Sequence, residues 1–135
     1  MLFRSDDGRA FIARGEKACG VPIQVLSGER EAELAAHGIR MGFADVDGVA
    51  GDLGGGSLEL IDIAGERLNE ATTLPLGGLH LIDTSGGRLE RALDIADEHI
   101  ASVPWLGCGD QRCFYAVGGA WRALEIGRAS CRERV

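Results

Sequence analysis

Between Val49 and Leu60 the chain reads Val-Ala-Gly-Asp52-Leu-Gly54-Gly55-Gly56-Ser57-Leu-Glu59-Leu. An apolar run reaches a lone aspartate, then three glycines and a serine. A second run, Leu58 to Ile63, carries acids at Glu59 and Asp62. The pattern predicts strand, tight glycine turn, strand, because glycine-rich turns between such runs favour hairpins. Glycines leave backbone N–H groups unshielded, so the turn can cradle an anion such as phosphate. Asp52 and Glu59 would stand at its two edges, where a hydrated divalent cation could sit. An ordinary hairpin turn accounts for the same residues without a ligand, and both readings stand. An acid ending an apolar strand is costly unless metal or hydrogen bonds satisfy it, which favours a role for Asp52. Glu59 fits equally well as a solvent-facing strand residue.

Two other glycine motifs are excluded. A P-loop needs Lys-Ser/Thr after its last glycine and then a helix, whereas Ser57-Leu58-Glu59 follows here. A dinucleotide fingerprint must open a helix, and the residues after Gly56 read as a strand.

The elements that must hold this turn come next. Ser5 or Asp6 can cap a helix running to about Cys19, with Phe11, Ile12 and Ala18 as its apolar stripe. Gly20 and Pro22 end it, and Val21 to Leu26 reads as a short strand. Ser27-Gly28 starts a strongly helical segment that ends near Phe43, and Ala44 to Gly48 is a polar loop. Glu29, Glu31 and Glu33 suit the start of that helix electrostatically, which explains all three without catalysis. A third strand is expected over Arg67 to Pro75 and an apolar helical turn over Leu79 to Ile82. The spacing predicts an amphipathic helix from Arg88 to Val103, with Leu89, Ala92, Leu93, Ala96 and Ile100 on one face and Pro104 stopping it. Cys113 to Val117 reads as a buried-type strand, Gly118-Gly119 as a turn, and Ala120 to Leu124 as the start of another helix. Trp121 is read as core, and His37, His80 and His99 as structural or exposed.

The 135 residues fit one domain or a piece of one, with 45% hydrophobic residues. Of the 21 glycines, nine fall in three pairs and a triplet, which argues for tight turns rather than a linker. A net charge of −7 argues against nucleic-acid polymers and membrane surfaces as partners. An anionic substrate must then be held locally, by backbone amides, metal and a few arginines. Cys19, Cys108, Cys113 and Cys131 match no paired zinc knuckle. The chain shows no signal-peptide pattern and no apolar stretch long enough to span a membrane. Reduced thiols in a cytoplasmic protein are the expectation. The last residues, Gly127 to Val135, carry no apolar face and are read as a non-native tail.

Taken together, Ser27-Gly28-x-x-Glu31-Ala32, Gly51-Asp52-Leu-Gly-Gly-Gly-Ser57-Leu-Glu59-Leu, Leu74-Pro-Leu-Gly77 and Ala116-Val-Gly118-Gly119-Ala-Trp121-Arg122 are similar to a known set. In order and spacing they resemble the exopolyphosphatase/guanosine pentaphosphate phosphohydrolase (Ppx/GppA) family. That family belongs to the actin/Hsp70/sugar-kinase superfamily. The resemblance covers roughly residues 4 to 124 and implies an α/β, ribonuclease H-like (actin-like ATPase) mixed sheet with flanking helices. It implies a partial copy, the end of the first lobe and most of the second, with residues 1–126 as the phosphatase domain. The family's opening Asp-x-Gly-Ser-Asn-Ser phosphate hairpin is missing, so the chain resembles an internal fragment.

By the same resemblance the reaction is hydrolysis of the terminal phosphoanhydride of inorganic polyphosphate, with Glu31 activating the attacking water. Asp52 and Glu59 match positions that hold Mg²⁺ or another divalent cation. Gly54, Gly55, Gly56 and Ser57 match the phosphate loop, and Gly118 and Gly119 match the later glycine turn near phosphate. Arg4 matches, one residue off in spacing, an arginine that contacts phosphate. Arg30 departs from the acid often found before the catalytic glutamate, which changes the charge beside it. The resemblance implies a homodimeric parent enzyme. Guanosine pentaphosphate is the alternative substrate. A superfamily ATPase or kinase fits less well, because kinases place their base elsewhere. A non-catalytic phosphate-binding remnant is the remaining alternative, and the chain alone is expected to turn over little.

Overall fold

The computed structural model describes residues 7–123. Its order is α1 (Gly8–Cys19), α2 (Gly28–Gly42), β1 (Asp47–Leu53), β2 (Leu58–Ala64), β3 (Arg67–Leu74), α3 (Gly78–Ser85), α4 (Leu89–Ala101), a 3₁₀ turn (Leu106–Gly109) and β4 (Cys113–Val117). The strands form one mixed sheet in the order β3-β2-β1-β4. β1, β2 and β3 run as an antiparallel meander, and β4 returns beside β1 in parallel after the helical crossover.

Alternation along β1 and β2 separates two cores on the two faces of the sheet. Ala50, Ile61 and Ile63 pack on one face against Ala32, Ala36 and Ile39 of α2. Alanines at Ala32 and Ala36, spaced i, i+4, let the helix backbone close on the strands. Burying Ile61 and Ile63 completely is worth about 1.5–3 kcal/mol each. On the opposite face Val49, Leu58 and Leu60 meet Leu74, Leu76 and Val103, with Leu81 of α3, Ile95 and Ala96 of α4 and Trp121 packed alongside.

Several expectations are corrected. Val21 to Leu26 forms no strand and belongs to no sheet. A strand exists only through its ladder, and none of the described strands pairs with this segment. Its Ile23 N–H instead donates to Glu16 Oε1 at 3.0 Å. Cys113 to Val117 is a strand but not a buried one: it forms the sheet edge, and Cys113, Phe114 and Ala116 are exposed. Phe11 of the α1 stripe is also exposed, and on α4 the packed residues are Ala92, Ile95 and Ala96 while Leu89 and Leu93 face outward. β1 begins at Asp47, inside the expected loop. Asp7 precedes α1 without a side-chain cap bond, and Ser5, Asp6, Arg4 and the expected tail from Gly127 to Val135 lie outside the described residues. His37 and His80 are exposed and Trp121 is half-buried against the core. Among the described residues no helix is long and apolar enough to cross a membrane.

At the sheet end far from the glycine turn, Arg112 ties three elements together. Its Nη2 lies 2.8 Å from Asp47 Oδ1 and 2.9 Å from the Ile63 carbonyl, and its Nη1 lies 2.8 Å from Asp62 Oδ1. Asn69 Nδ2 donates to Asp62 Oδ2 at 3.0 Å. Burial alone would raise the Asp62 pKa, but Asn69, the Arg112 guanidinium and Cys108 outweigh it and hold the carboxyl below the ordinary range. A carboxyl depressed in the fold contributes stability above its unfolded pKa, and that contribution is lost as pH falls through the folded value. Asp62→Asn is therefore expected to lower the thermal midpoint at pH 7, with the gap to wild type closing as the pH drops below about 3.9. Equal midpoints at pH 7 would show the network to be idle.

Candidate functional site

The hairpin register decides where the acids go. Asp52 pairs directly with Glu59, and Leu53 with Leu58, on either side of the glycine turn. Directly opposed residues of an antiparallel pair point to the same face. Glu59 alternates with Ile61 and Ile63, so both carboxylates face α2 rather than the α3–α4 side.

α2 brings the third acid. Ser27 caps the helix by accepting the Arg30 N–H at 3.2 Å. Gly28 then presses on β3: a β-carbon there would lie 2.7 Å from Thr73 Oγ1. Thr73 is the cross-strand neighbour of Glu59, so the contact seats the first turn of α2 above Glu59. Glu31, one turn ahead of the packed Ala35, overhangs the sheet end. Glu31, Asp52, Glu59, Gly54, Gly55, Gly56 and Ser57 consequently line one open groove of about 380 Å³, with Leu26, Leu34 and Ala35 completing its walls.

The turn itself is pinned by the Gly54 N–H, which donates to the Ser57 carbonyl at 3.0 Å. The Gly55 and Gly56 N–H groups donate to no acceptor among the described residues. Glu59 is only 6% exposed and its Oε1 accepts no hydrogen bond from the described residues. Its pKa is raised, first by burial and then by the charges of Glu31 and Asp52, with the Ser57 hydroxyl and the Glu59 backbone partly offsetting them. Burial also raises Asp52. A groove that holds buried acids against one another and points free amides outward suits a cation together with an anion. Among the described residues no three His, Cys, Asp or Glu side chains gather as a complete metal cage. A cation at Asp52 and Glu59 would take its remaining ligands from water and phosphate, as Mg²⁺ commonly does.

The other expected residues are distributed around this groove. Gly118 follows β4, whose Val117 pairs with Asp52. Its φ is +103°, and a β-carbon there would fall 2.9 Å from Asp52 Oδ1, so the second glycine turn touches the first acid. Gly119 opens the helical turn over 119–123 and is exposed. Trp121 Nε1 donates to the Gly51 carbonyl at 2.9 Å, fixing the backbone just before Asp52. Arg30 pairs at 2.6 Å with Glu33, away from Glu31. Arg4 is outside the described residues. Gly28, Leu26, Leu34 and Ala35 shape the site without having stood out in the sequence as site residues; Ser-Gly at a helix start is the only local signal for the first of them.

A mixed sheet with a three-stranded meander, a parallel fourth strand and flanking helices defines an actin-like α/β fold. The structure matches that of an exopolyphosphatase from Cytophaga hutchinsonii at TM-score 0.75 and 23% identity, over 97% of this chain and 46% of that one. An exopolyphosphatase-like protein matches at TM-score 0.74 and 22% identity, over 88% of this chain and 42% of that one. The PPX-GPPA enzyme of Aquifex aeolicus matches at TM-score 0.62 and 20% identity, over 86% and 40%. The family model of the Ppx/GppA phosphatases matches residues 4–86, and the chain belongs to that family. It spans less than half the length of each of these solved relatives.

Acids whose folded pKa is raised oppose folding above that value, and the cost is relieved as pH falls through it. Glu59→Gln is therefore expected to raise the thermal midpoint at pH 7 in the absence of divalent ions. The wild-type midpoint should rise as the pH falls from 8 toward 4.5, the ordinary value, relative to that of the variant. A lower midpoint for Glu59→Gln would mean that the buried carboxylate is stabilising.

Proposed function

We propose that this chain supplies the water-activating and metal-facing part of a hydrolase that removes the terminal phosphate of inorganic polyphosphate. The convergence of Glu31, Asp52, Glu59 and the glycine turn in one groove carries this reading, in a chain of the Ppx/GppA family. Glu31 is the general base. It orients a water, takes its proton as the oxygen attacks the terminal phosphorus, and the bridging oxygen departs with the shortened polyphosphate. A positioned base of this kind contributes about 10² to 10⁴-fold. The Gly55 and Gly56 N–H groups hold non-bridging oxygens in place while charge develops on them, joined by the Ser57 hydroxyl once it turns from Glu59 to the phosphate. Asp52 and Glu59 hold the divalent cation, which when bound neutralises phosphate charge. Phosphoryl transfer depends chiefly on such positioning and neutralisation. Gly118 supports Asp52 from β4.

The groove is open, with Glu31 and Gly54 exposed, and the 135 residues by themselves turn over little. Phosphate release from long-chain polyphosphate with Mg²⁺ tests this, comparing the chain with a version extended at both ends to the length of its relatives. The extended protein should release phosphate and the 135-residue chain should release little. An inactive extended protein would overturn the hydrolase assignment, and robust turnover by the short chain would overturn the claim of low activity. Guanosine pentaphosphate, which ends in the same anhydride, serves as the competing substrate. In the extended protein Glu31→Gln should lower kcat by about 10² to 10⁴-fold and leave polyphosphate binding within twofold. Retained kcat would remove Glu31 from the role of base.

A further inference from the structure

The glycine turn is held from behind by a helix on the other face of the sheet. The Leu79 N–H donates to the Gly55 carbonyl at 2.9 Å and the His80 N–H to the same oxygen at 3.2 Å. The Gly78 N–H reaches the Gly54 carbonyl at 3.3 Å. These three donors are the otherwise unpaired N–H groups that begin α3. Helix and turn therefore satisfy each other.

The consequence lies in peptide geometry. In a trans peptide the carbonyl oxygen and the following N–H point in opposite directions, and no described peptide is cis. With the Gly54 and Gly55 oxygens drawn toward α3, the Gly55 and Gly56 N–H groups are turned away from it. α3 packs with α4 on the Leu58–Leu60 face, whereas α2 and the acids occupy the opposite face. The two amides thus point to the groove side because α3 has taken the two carbonyls.

Gly77 permits this approach. Its backbone, at φ −62° and ψ 147°, is open to any residue, so conformational freedom does not explain a glycine there. Contact does. A β-carbon on Gly77 would fall 2.3 Å from the Gly56 nitrogen and 2.4 Å from the carbonyl carbon and oxygen of Gly55. Those atoms are backbone and have no rotamer with which to yield. The next residue, Gly78, has nothing within 4 Å of such a β-carbon.

We infer that Gly77 is a positioning residue for the anion loop: its missing side chain lets the start of α3 hold the Gly54 and Gly55 carbonyls, which aims the Gly55 and Gly56 amides at the ligand. The identity of the anion rests on the polyphosphate reading; the aiming of the amides does not.

The test uses the 135-residue chain with Gly77→Ala, Gly78→Ala as the control, and Leu79→Pro. The proline removes one donor to Gly55 and sets its ring carbon against that carbonyl oxygen, so it breaks the contact between the start of α3 and the turn without touching Gly77. Amide hydrogen exchange is read without ligand, and affinity is read with inorganic tripolyphosphate. In Gly77→Ala the Leu79 and His80 amides should exchange at least tenfold faster, the Gly55 and Gly56 amide resonances should shift, and tripolyphosphate should bind at least tenfold more weakly. Far-UV circular dichroism and exchange in β1 and β2 should be unchanged. Leu79→Pro should weaken binding severalfold and speed exchange at His80, and it decides the matter if Gly77→Ala does not fold. Gly78→Ala should match wild type within twofold. Unchanged exchange and resonances in Gly77→Ala, or unchanged His80 exchange in Leu79→Pro, would overturn the positioning role. Loop shifts as expected in a wild type that binds no tripolyphosphate would overturn the polyphosphate reading alone.

Discussion

The pairing of Asp52 with Glu59 across the β1–β2 hairpin constrains everything around it. Register sends both carboxylates to one face, and the cap of α2 adds Glu31 above them. Asp52 and Glu59, side by side on that face, lose hydration, as their raised pKa values record. Folding alone would not select that arrangement, since a buried charge without a partner costs free energy. A bound cation would reverse the balance by supplying a counter-charge. In the proposed function that cost would turn into affinity for a cation, and through the cation for phosphate.

The remaining structure keeps this region in place against its own repulsion. Two apolar cores clamp β1 and β2 from both faces. At the far end of the sheet Arg112 pairs with Asp47 and Asp62, so the buried acid there has its cation within the protein. The contrast is informative. Both ends of β2 carry a buried acid, but among the described residues only Asp62 has a protein cation, and only Glu59 opens on a groove with free amides. Trp121 and Gly118 brace the strand end around Asp52 from β4 and the helical turn beyond it.

Much of this was legible in the sequence wherever the cause is local. Three glycines between two apolar runs specify the hairpin, and Ser27 ahead of an Ala/Glu-rich run specifies the start of α2. The resemblance to the Ppx/GppA family supplied Glu31, whose role no local pattern distinguishes from a first-turn helix acid. Features that depend on distant partners were not legible. Val21 to Leu26 has strand composition, but no composition supplies the neighbouring strand. The exposure of β4 follows from its place at the sheet edge, and the Arg112–Asp62 pair joins residues far apart along the chain. The functions of Gly28 and Gly77 are close approaches to Thr73 and to the glycine turn, which appear only when the elements are packed.

The central claim is that the acids and amides of this groove bind cation and phosphate together. A crystal of the 135-residue chain grown with Mn²⁺ and inorganic tripolyphosphate tests it most directly, because the anomalous signal of manganese locates the metal without assumption. The predicted result is one dominant peak between Asp52 and Glu59, with a phosphate oxygen within reach of the Gly55 and Gly56 N–H groups. A dominant peak elsewhere, or phosphate bound away from the glycine turn, would contradict it.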